Sequence, residues 1–429
     1  MIDFKALLLL ATLFSFSSAQ FEPVDPNCVP NRKIIRNCPF GQISTRKLIP
    51  LSSFKGGNVS NSIDFPPPFA LYVSAFSDDP LLLEQILLTT EDNTTITVAE
   101  LKNNKLSSDS GQLYPFTLTA PASVSTLLSV EVMSSLTGLM FVSTTNQLYD
   151  PSFSVYDVDR YQVIELFGIV GGTTMLFLNT NLETDVPHSS VISGWSQMQD
   201  ATAIVYRGVP SDSIETPGSQ IFSNPIQTGN DSFVWVPTVE QFSVSLEAFY
   251  IKTRRDVFFT IEPRYYNFDG LGTNDFSTTG FYMKAKGQSS KSVTLSCSRD
   301  TDYNGTTGAN IMGSLPVLTG TVTFQENDLT QNHSVSVHPT TDAFRWSTPN
   351  IGLSLTISSQ DSDGGELFVQ YYIAQGVSVA TTTVTPTSSR ASTSEPVPTT
   401  TSSSSSPELN NTLLPIVMLS IRIASLLSL

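Results

Sequence analysis

Three cysteines in 429 residues are too few for a disulfide scaffold, so packed cores must carry the stability. Cys28–Cys38 is the local pairing, closing a loop worth roughly 2.5–3 kcal/mol in the chain-entropy model. It would leave Cys297 as a buried thiol; joining Cys297 to either of the others is the alternative. Charge is also scarce. Lys, Arg, Asp and Glu make up 14% of the chain, and the net charge of −16 argues against a nucleic-acid partner, which wants a basic patch. The only histidines are His188, His333 and His338, and none sits in a His-Glu-x-x-His pattern, so zinc has no evident ligand set. Neither a Gly-x-Ser-x-Gly elbow nor a phosphate-cradling glycine loop occurs. No stretch carries a sustained 3.6-residue apolar stripe with caps, which excludes a helical bundle. These gaps leave no catalytic residue to name and no cofactor to expect; the reading is a protein that is not an enzyme.

What the chain has in quantity is Ser, Thr and short apolar runs. Lys5 precedes the apolar run Ala6–Phe14, and Ser17-Ser18-Ala19 supplies small residues at both recognition positions. Residues 1–19 therefore read as a secretory signal peptide, followed by a proline-rich lead-in over 20–36. At the other end, 19 of the 30 residues from Val377 to Ser406 are Ser or Thr. A polar piece, Pro407–Thr412, and the apolar tail Leu413–Leu429 follow. Stalk and spacer (377–412) and tail (413–429) match a GPI signal, with Ser404 as the attachment residue. The rival is a membrane span. Seventeen residues cover only about 25 Å of a core about 30 Å thick. Arg422 would sit mid-segment at a cost of roughly 2.5–3.5 kcal/mol. Six Asn-x-Ser/Thr sequons, at Asn58, Asn93, Asn230, Asn304, Asn332 and Asn410, are candidate glycosylation sites on exposed turns, and Asn410 would leave with the tail.

Between these ends the pattern is β almost throughout. Runs rich in Val, Ile, Phe, Tyr and Thr recur about every ten residues, punctuated by Gly, Pro, Asn, Asp and Ser, as in antiparallel sandwiches. Leu81–Leu88 fits a helical turn or a buried strand. Three pairs of runs look like closing hairpins: Leu127–Val132 with Gly138–Val142, Phe242–Ala248 with Val257–Ile261, and Gly352–Ile357 with Leu367–Tyr371. Phe141, Phe259 and Phe368 then recur at spacings of 118 and 109 residues, which suits three domains of ordinary size. Gly171-Gly172 reads as a hairpin turn between Val163–Val170 and Met175–Leu178. The one metal candidate is weak: Asp361, Asp363 and Glu366 alternate around a glycine turn, as in a loose calcium loop, but without the spacing of an EF-hand. Trp195, Trp235 and Trp346 could stack on sugars, though buried core is the commoner use.

The phrase Asn37-Cys38-Pro39-Phe40-Gly41-Gln42-Ile43, then the strand Phe69–Ala75 running into Asp78-Asp79, then Tyr114-Pro115-Phe116, resembles the opening of the nematode CUB-like domain family. That family's second cysteine has no counterpart here; Ser62–Phe65 stands in its place. The resemblance implies a jelly-roll β-sandwich over 37–147, secreted or GPI-anchored, with a role at an extracellular surface or in defence. Two further sandwiches would follow, over 148–265 and 266–376. The expected fold class is thus all-β, two or three jelly-roll or CUB-like antiparallel sandwiches in tandem followed by a Ser/Thr/Pro-rich stalk. The expected function is recognition of extracellular proteins or glycans by a glycosylated protein held to the plasma membrane by a lipid anchor, in innate defence or adhesion. A structural coat component and a secreted hydrolase with an unrecognised site are the alternatives.

Overall fold

Three strands are buried along their length without alternation: Phe69–Phe76 (FALYVSAF), Thr278–Lys284 (TTGFYMK) and Glu366–Ala374 (ELFVQYYIA). A strand with one solvated face would alternate, so each of these demands cover on both faces. The computed structural model of the chain shows the cover. It describes residues 46–378 apart from 78, 108–109, 145–151, 167–171, 211–219, 229–231, 268–270, 274–276, 286–287, 289–292, 299, 301, 315–320, 327–331, 336–344, 351–353 and 361–365.

The strands of the described residues fall in three blocks of two sheets each, with a further two-stranded pair, Ile226–Gln227 with Phe233–Val234; the blocks follow chain order except that Thr238–Val239 leaves the second block to join a sheet of the third. In the first, sheet A orders Arg46–Pro50, Thr137–Thr144, Phe69–Phe76 and Phe116–Leu118, and sheet B orders Asn61–Ser62, Ala122–Thr126, Ile86–Thr90 and Thr95–Thr97. In the second, sheet C orders Gln220–Asn224, Thr202–Arg207, Ala248–Arg254, Thr173–Leu178 and Phe153–Asp157. Sheet D orders Gln162–Leu166, Val257–Glu262, Ser189–Gln197 and Phe242–Ser245. In the third, sheet E orders Thr238–Val239, Thr278–Lys284, Glu366–Ala374, Thr306–Ser314 and Arg345–Asn350. Sheet F orders Leu271–Thr273, Val293–Ser298, Ser354–Gln360, Thr321–Glu326 and Asn332–Val335. Pairing is antiparallel except where Phe153–Asp157, Thr238–Val239 and Leu271–Thr273 join their neighbours in parallel. The expected all-β class with antiparallel sheets is what the chain adopts.

Sheets A and B enclose one core, with Phe69, Leu71 and Val73 facing Ile86, Leu88 and Val124. The opposite face of sheet A is also dry. Ala70, Tyr72, Leu139 and Phe141 pack on Leu176, Leu178, Tyr206 and Tyr250 of sheet C. Sheet C in turn sends Phe177, Val205 and Phe249 inward against Ile192, Phe242 and Phe259 of sheet D, and this core runs on through Phe281, Ile311 and Val369 of sheet E. The strands buried along their length are therefore sandwiched between two layers. Aromatic rings set the contacts: Trp195 stacks on Phe259 at 5.1 Å, and Phe281 meets Phe242 edge-on at 5.5 Å. Trp195 is thus core rather than a sugar platform.

Local chemistry explains the few helices. Asp79 caps Pro80–Glu84 by accepting from Leu81 N at 3.0 Å, with proline at the first position where its missing N–H costs nothing. Thr97 and Glu100 form a reciprocal capping box over Val98–Lys102. Leu81–Leu88 resolves into both of its readings, a helix to Glu84 and a strand from Ile86.

The expected hairpins are not hairpins. Val130–Ser135 is a short helix capped by Ser129, so the first pair has no leading strand. Of the second pair, Phe242–Ser245 and Val257–Glu262 do lie in one sheet, D, but Ser189–Gln197 stands between them, and the strand that leads into Val257, Ala248–Arg254, belongs to sheet C. Ser354–Gln360 and Glu366–Ala374 likewise lie in sheets F and E. Each of these turns crosses from one layer to the facing layer. Ala248–Arg254 and Val257–Glu262 line one core from opposite sides, so neither hydrogen-bonds the other. The same holds at Gly171-Gly172: Gln162–Leu166 pairs with Val257–Glu262, whereas Thr173–Leu178 pairs with Ala248–Arg254.

Candidate functional site

In a chain so poor in charge, a buried cluster of charged side-chain types among the described residues is the first place to look for chemistry. It lies where the first block meets the second. The residues before Leu113 run beside the edge strand Phe153–Asp157: Leu113 N donates to Val155 O and Asp157 N to Gly111 O, both at 2.8 Å. This pairing delivers Lys105 to Asp157 and Asp159. The Lys105 ammonium stands 2.6 Å from Asp159 Oδ2 and 3.3 Å from Asp157 Oδ2, with side-chain exposures of only 6% for Lys105 and 2% for Asp157. Ser74, from the middle of sheet A, donates to Asp157 Oδ1 at 2.7 Å and lies 3.0 Å from the Thr180 hydroxyl. Arg160 adds its guanidinium to Asp159 at 3.0 Å. Burial is the main force on Asp157 and, with the neighbouring Asp159 charge, lifts its carboxyl above the ordinary range despite Lys105. Burial alone would raise Asp159 as well, but hydrogen bonds from Arg160 and Lys105, with their charges, outweigh it and hold Asp159 low. The arrangement has the form of a structural clamp. Ser74, Lys105, Asp157 and Thr180 join two sheets, and each carboxylate is already engaged by cations.

Of the Asp361, Asp363 and Glu366 candidate only Glu366 is described. Asp361 and Asp363 lie outside the described residues, and Glu366 is engaged by Arg207 of sheet C, which leaves its carboxylate neutralised at the join of the second and third blocks. Among the described residues, no group of three His, Cys, Asp or Glu side chains is placed to hold a metal ion. His188 is a turn residue with φ 58°; its Nδ1 lies 2.9 Å from Asn179 O and its Nε2 3.7 Å from Glu247. His338 lies outside the described residues, and His333 sits on the strand Asn332–Val335. Asp300 makes a local turn, accepting from Asp302 N at 2.8 Å. Cys297 is buried on Val293–Ser298, while Cys28, Cys38 and Ser404 lie outside the described residues.

The sequons are more instructive. Asn58 and Asn93 are exposed and both occupy the left-handed region, with φ of 64° and 60°. Asparagine tolerates that conformation better than other side chains, so these are turn tips. The Asn93 turn is closed by Thr90 N donating to Thr94 O at 3.0 Å. Asp92 sits in the same turn, and hydrogen bonds led by the Thr90 hydroxyl hold its carboxyl below the ordinary range. Asn304 is exposed, but its Oδ1 already accepts from Val377 N at 2.6 Å. Asn332 opens an edge strand of sheet F rather than a turn. Asn230 and Asn410 lie outside the described residues.

A family model described as "Glycoprotein: Transmembrane glycoprotein" matches residues 66–419, most of the chain, running through the Ser/Thr stalk into the apolar tail. The chain belongs to this transmembrane glycoprotein family. Membership makes it a surface or membrane glycoprotein. No helix among the described residues is long and apolar enough to cross a membrane, and the tail 413–429 lies outside them. No curated protein matches the chain. Among solved structures, the human MASP-1/3 CUB1-EGF-CUB2 domain aligns at 6% identity over 51% of this chain and 100% of its own, with a TM-score of 0.20. BuGH86 in complex with neoagarooctaose aligns at 14% identity over 51% of this chain and 32% of its own, with a TM-score of 0.14. Likenesses this slight carry no argument.

Proposed function

We propose that this family member is a non-enzymatic glycoprotein displayed on the outer face of the plasma membrane, where its β scaffold meets extracellular proteins or glycans in surface defence or adhesion. The family match over 66–419 carries the reading, because it embraces both the β-sheet body and the stalk. Exposed sequon turns at Asn58 and Asn93 support it, as does a buried charge cluster whose carboxylates are engaged by cations. Three sandwich domains with limits near 147 and 265, with Cys28 bridged to Cys38, would form the body, and the stalk would lift it from the membrane. The nematode CUB-like resemblance at Cys38–Ile43 supplies the defence role.

The tail decides the mode of attachment. A GPI anchor at or near Ser404 fits the short apolar segment and Arg422. The family description favours a second reading, in which 413–429 remains as a span. Phosphatidylinositol-specific phospholipase C applied to intact expressing cells separates them. Release of the protein supports the lipid anchor; retention, with solubilisation only by detergent, supports the span. Arrays of purified protein against glycans and microbial surfaces test recognition, where a set of selective hits is expected and uniformly blank arrays would turn the reading toward a coat component.

A further inference from the structure

The most exposed large apolar side chain among the described residues is Leu127, at 78%, with Val130 at 57% and Val59 at 43% nearby. Isolated apolar residues on a surface are ordinary, but these three are gathered by backbone pairing. Gly57 N donates to Leu128 O and Asn58 N to Thr126 O, each at 2.7 Å, so residues 57–59 run beside 126–128. Leu127 therefore lies about one inter-strand spacing, roughly 5 Å, from Asn58. Val130 begins the helix just beyond. The loop is built rigidly. The Asn61 side chain accepts from Lys55 N at 2.9 Å and donates to Lys55 O at 3.0 Å, Val59 O at 2.9 Å and Val124 O at 3.2 Å. At its tip stands Asn58, exposed, in a left-handed turn, and the first residue of the sequon Asn58-Val59-Ser60.

We propose that the glycan on Asn58 is a structural cover, whose first N-acetylglucosamine lays its C–H face over Leu127, Val130 and Val59. A pyranose offers what this patch lacks, an apolar face with a polar rim that keeps water contacts. The other exposed turn sequon serves as the control, because Asn93 is flanked in its turn by the polar residues Glu91, Asp92 and Thr94. The inference rests on the extracellular reading above, since the sequon is glycosylated only in the secretory pathway.

The test uses the full chain secreted or displayed by eukaryotic cells, with peptide mass spectrometry for occupancy and binding of a hydrophobic fluorescent dye for exposed apolar surface. Asn58→Gln should raise dye binding severalfold while Asn93→Gln leaves it unchanged. Adding Leu127→Ser to Asn58→Gln should return it to the parent level. If Asn58→Gln fails to fold, trimming the folded glycoprotein to one sugar should leave dye binding low, whereas complete removal of the glycan should raise it. An unoccupied Asn58 in protein glycosylated elsewhere overturns the cover and leaves the surface reading standing. An occupied Asn58 whose loss changes nothing overturns it as well. A chain carrying no glycan at any sequon overturns both readings.

Discussion

Replacing Lys105 with methionine keeps the volume of the buried stem and removes the cation that Asp157 and Asp159 share. Breaking a buried ion pair by deleting one partner costs about 3–5 kcal/mol, because a charge is left uncompensated. The geometry narrows this figure. Asp159 keeps Arg160 at 3.0 Å, so its loss is partial, and Asp157 carries most of the cost. Asp157 has an escape, which is to take a proton. At pH 7 that costs at most the distance from an ordinary aspartate near pH 4, at about 1.4 kcal/mol per unit, or roughly 4 kcal/mol. The expected destabilisation is therefore about 3–4 kcal/mol. Adding Asp157→Asn removes the stranded charge and still accepts from Ser74 through Oδ1, so the double variant should fall within about 1 kcal/mol of the parent. Urea denaturation at pH 7 measures both. Hydrogen exchange at the amides of Leu113 and Asp157, which bond Val155 O and Gly111 O, reports whether the join between blocks opens first. A Lys105→Met cost below about 1 kcal/mol, or no recovery with Asp157→Asn, would refute the clamp.

The same pair fixes a pH profile. The raised pKa of Asp157 means that its favourable contribution is complete below the ordinary aspartate value of about 4 and is lost as pH rises through its folded value; the lowered pKa of Asp159 means the reverse, a contribution present above about 4 and lost as pH falls. The cluster should therefore be most stabilising near pH 4, and single Asp157→Asn should flatten the decline in stability above it, read as Tm against pH. Gln370 bonds Ser223 N at 3.1 Å, Ser223 O at 2.7 Å and Thr279 Oγ1 at 3.1 Å, so Gln370→Leu strands buried groups and should cost about 2–3 kcal/mol in urea unfolding. Trp195→Ala empties a site stacked on Phe259 and edged by Phe222 and should cost about 3–5 kcal/mol; a loss under about 1 kcal/mol would show that the aromatic cluster closes over the gap.

Much of the body was legible beforehand. Runs rich in Val, Ile, Phe, Tyr and Thr between turn residues announced strands, though not that Phe69–Phe76 and Glu366–Ala374 would be covered on both faces. The site was not legible. Lys105 lies 52 residues from Asp157, and Ser74 83 residues away, and nothing in either neighbourhood names the other. The one available signal was Asp157-Val158-Asp159-Arg160, three charges in four residues in a chain where charge is rare, directly after a strand. The misplaced hairpins have a related cause. A hydrophobic pattern records which face of a strand is dry, and a strand in the facing sheet satisfies it as well as a strand alongside.

The fold class was readable from the chain before folding, and an address was proposed from it. Net acidity argued against a nucleic-acid partner, periodicity favoured β over helix, sequons and end segments suggested an extracellular surface, and all of these are local properties of the chain. That sheet A lies on sheet C, that the second and third blocks share one core, and that Lys105 meets Asp157 and Asp159 where the first block joins the second emerged from the packed structure alone. Such contacts depend on which strand lies beside or above which, and that follows from closing all the sheets at once rather than from any single stretch.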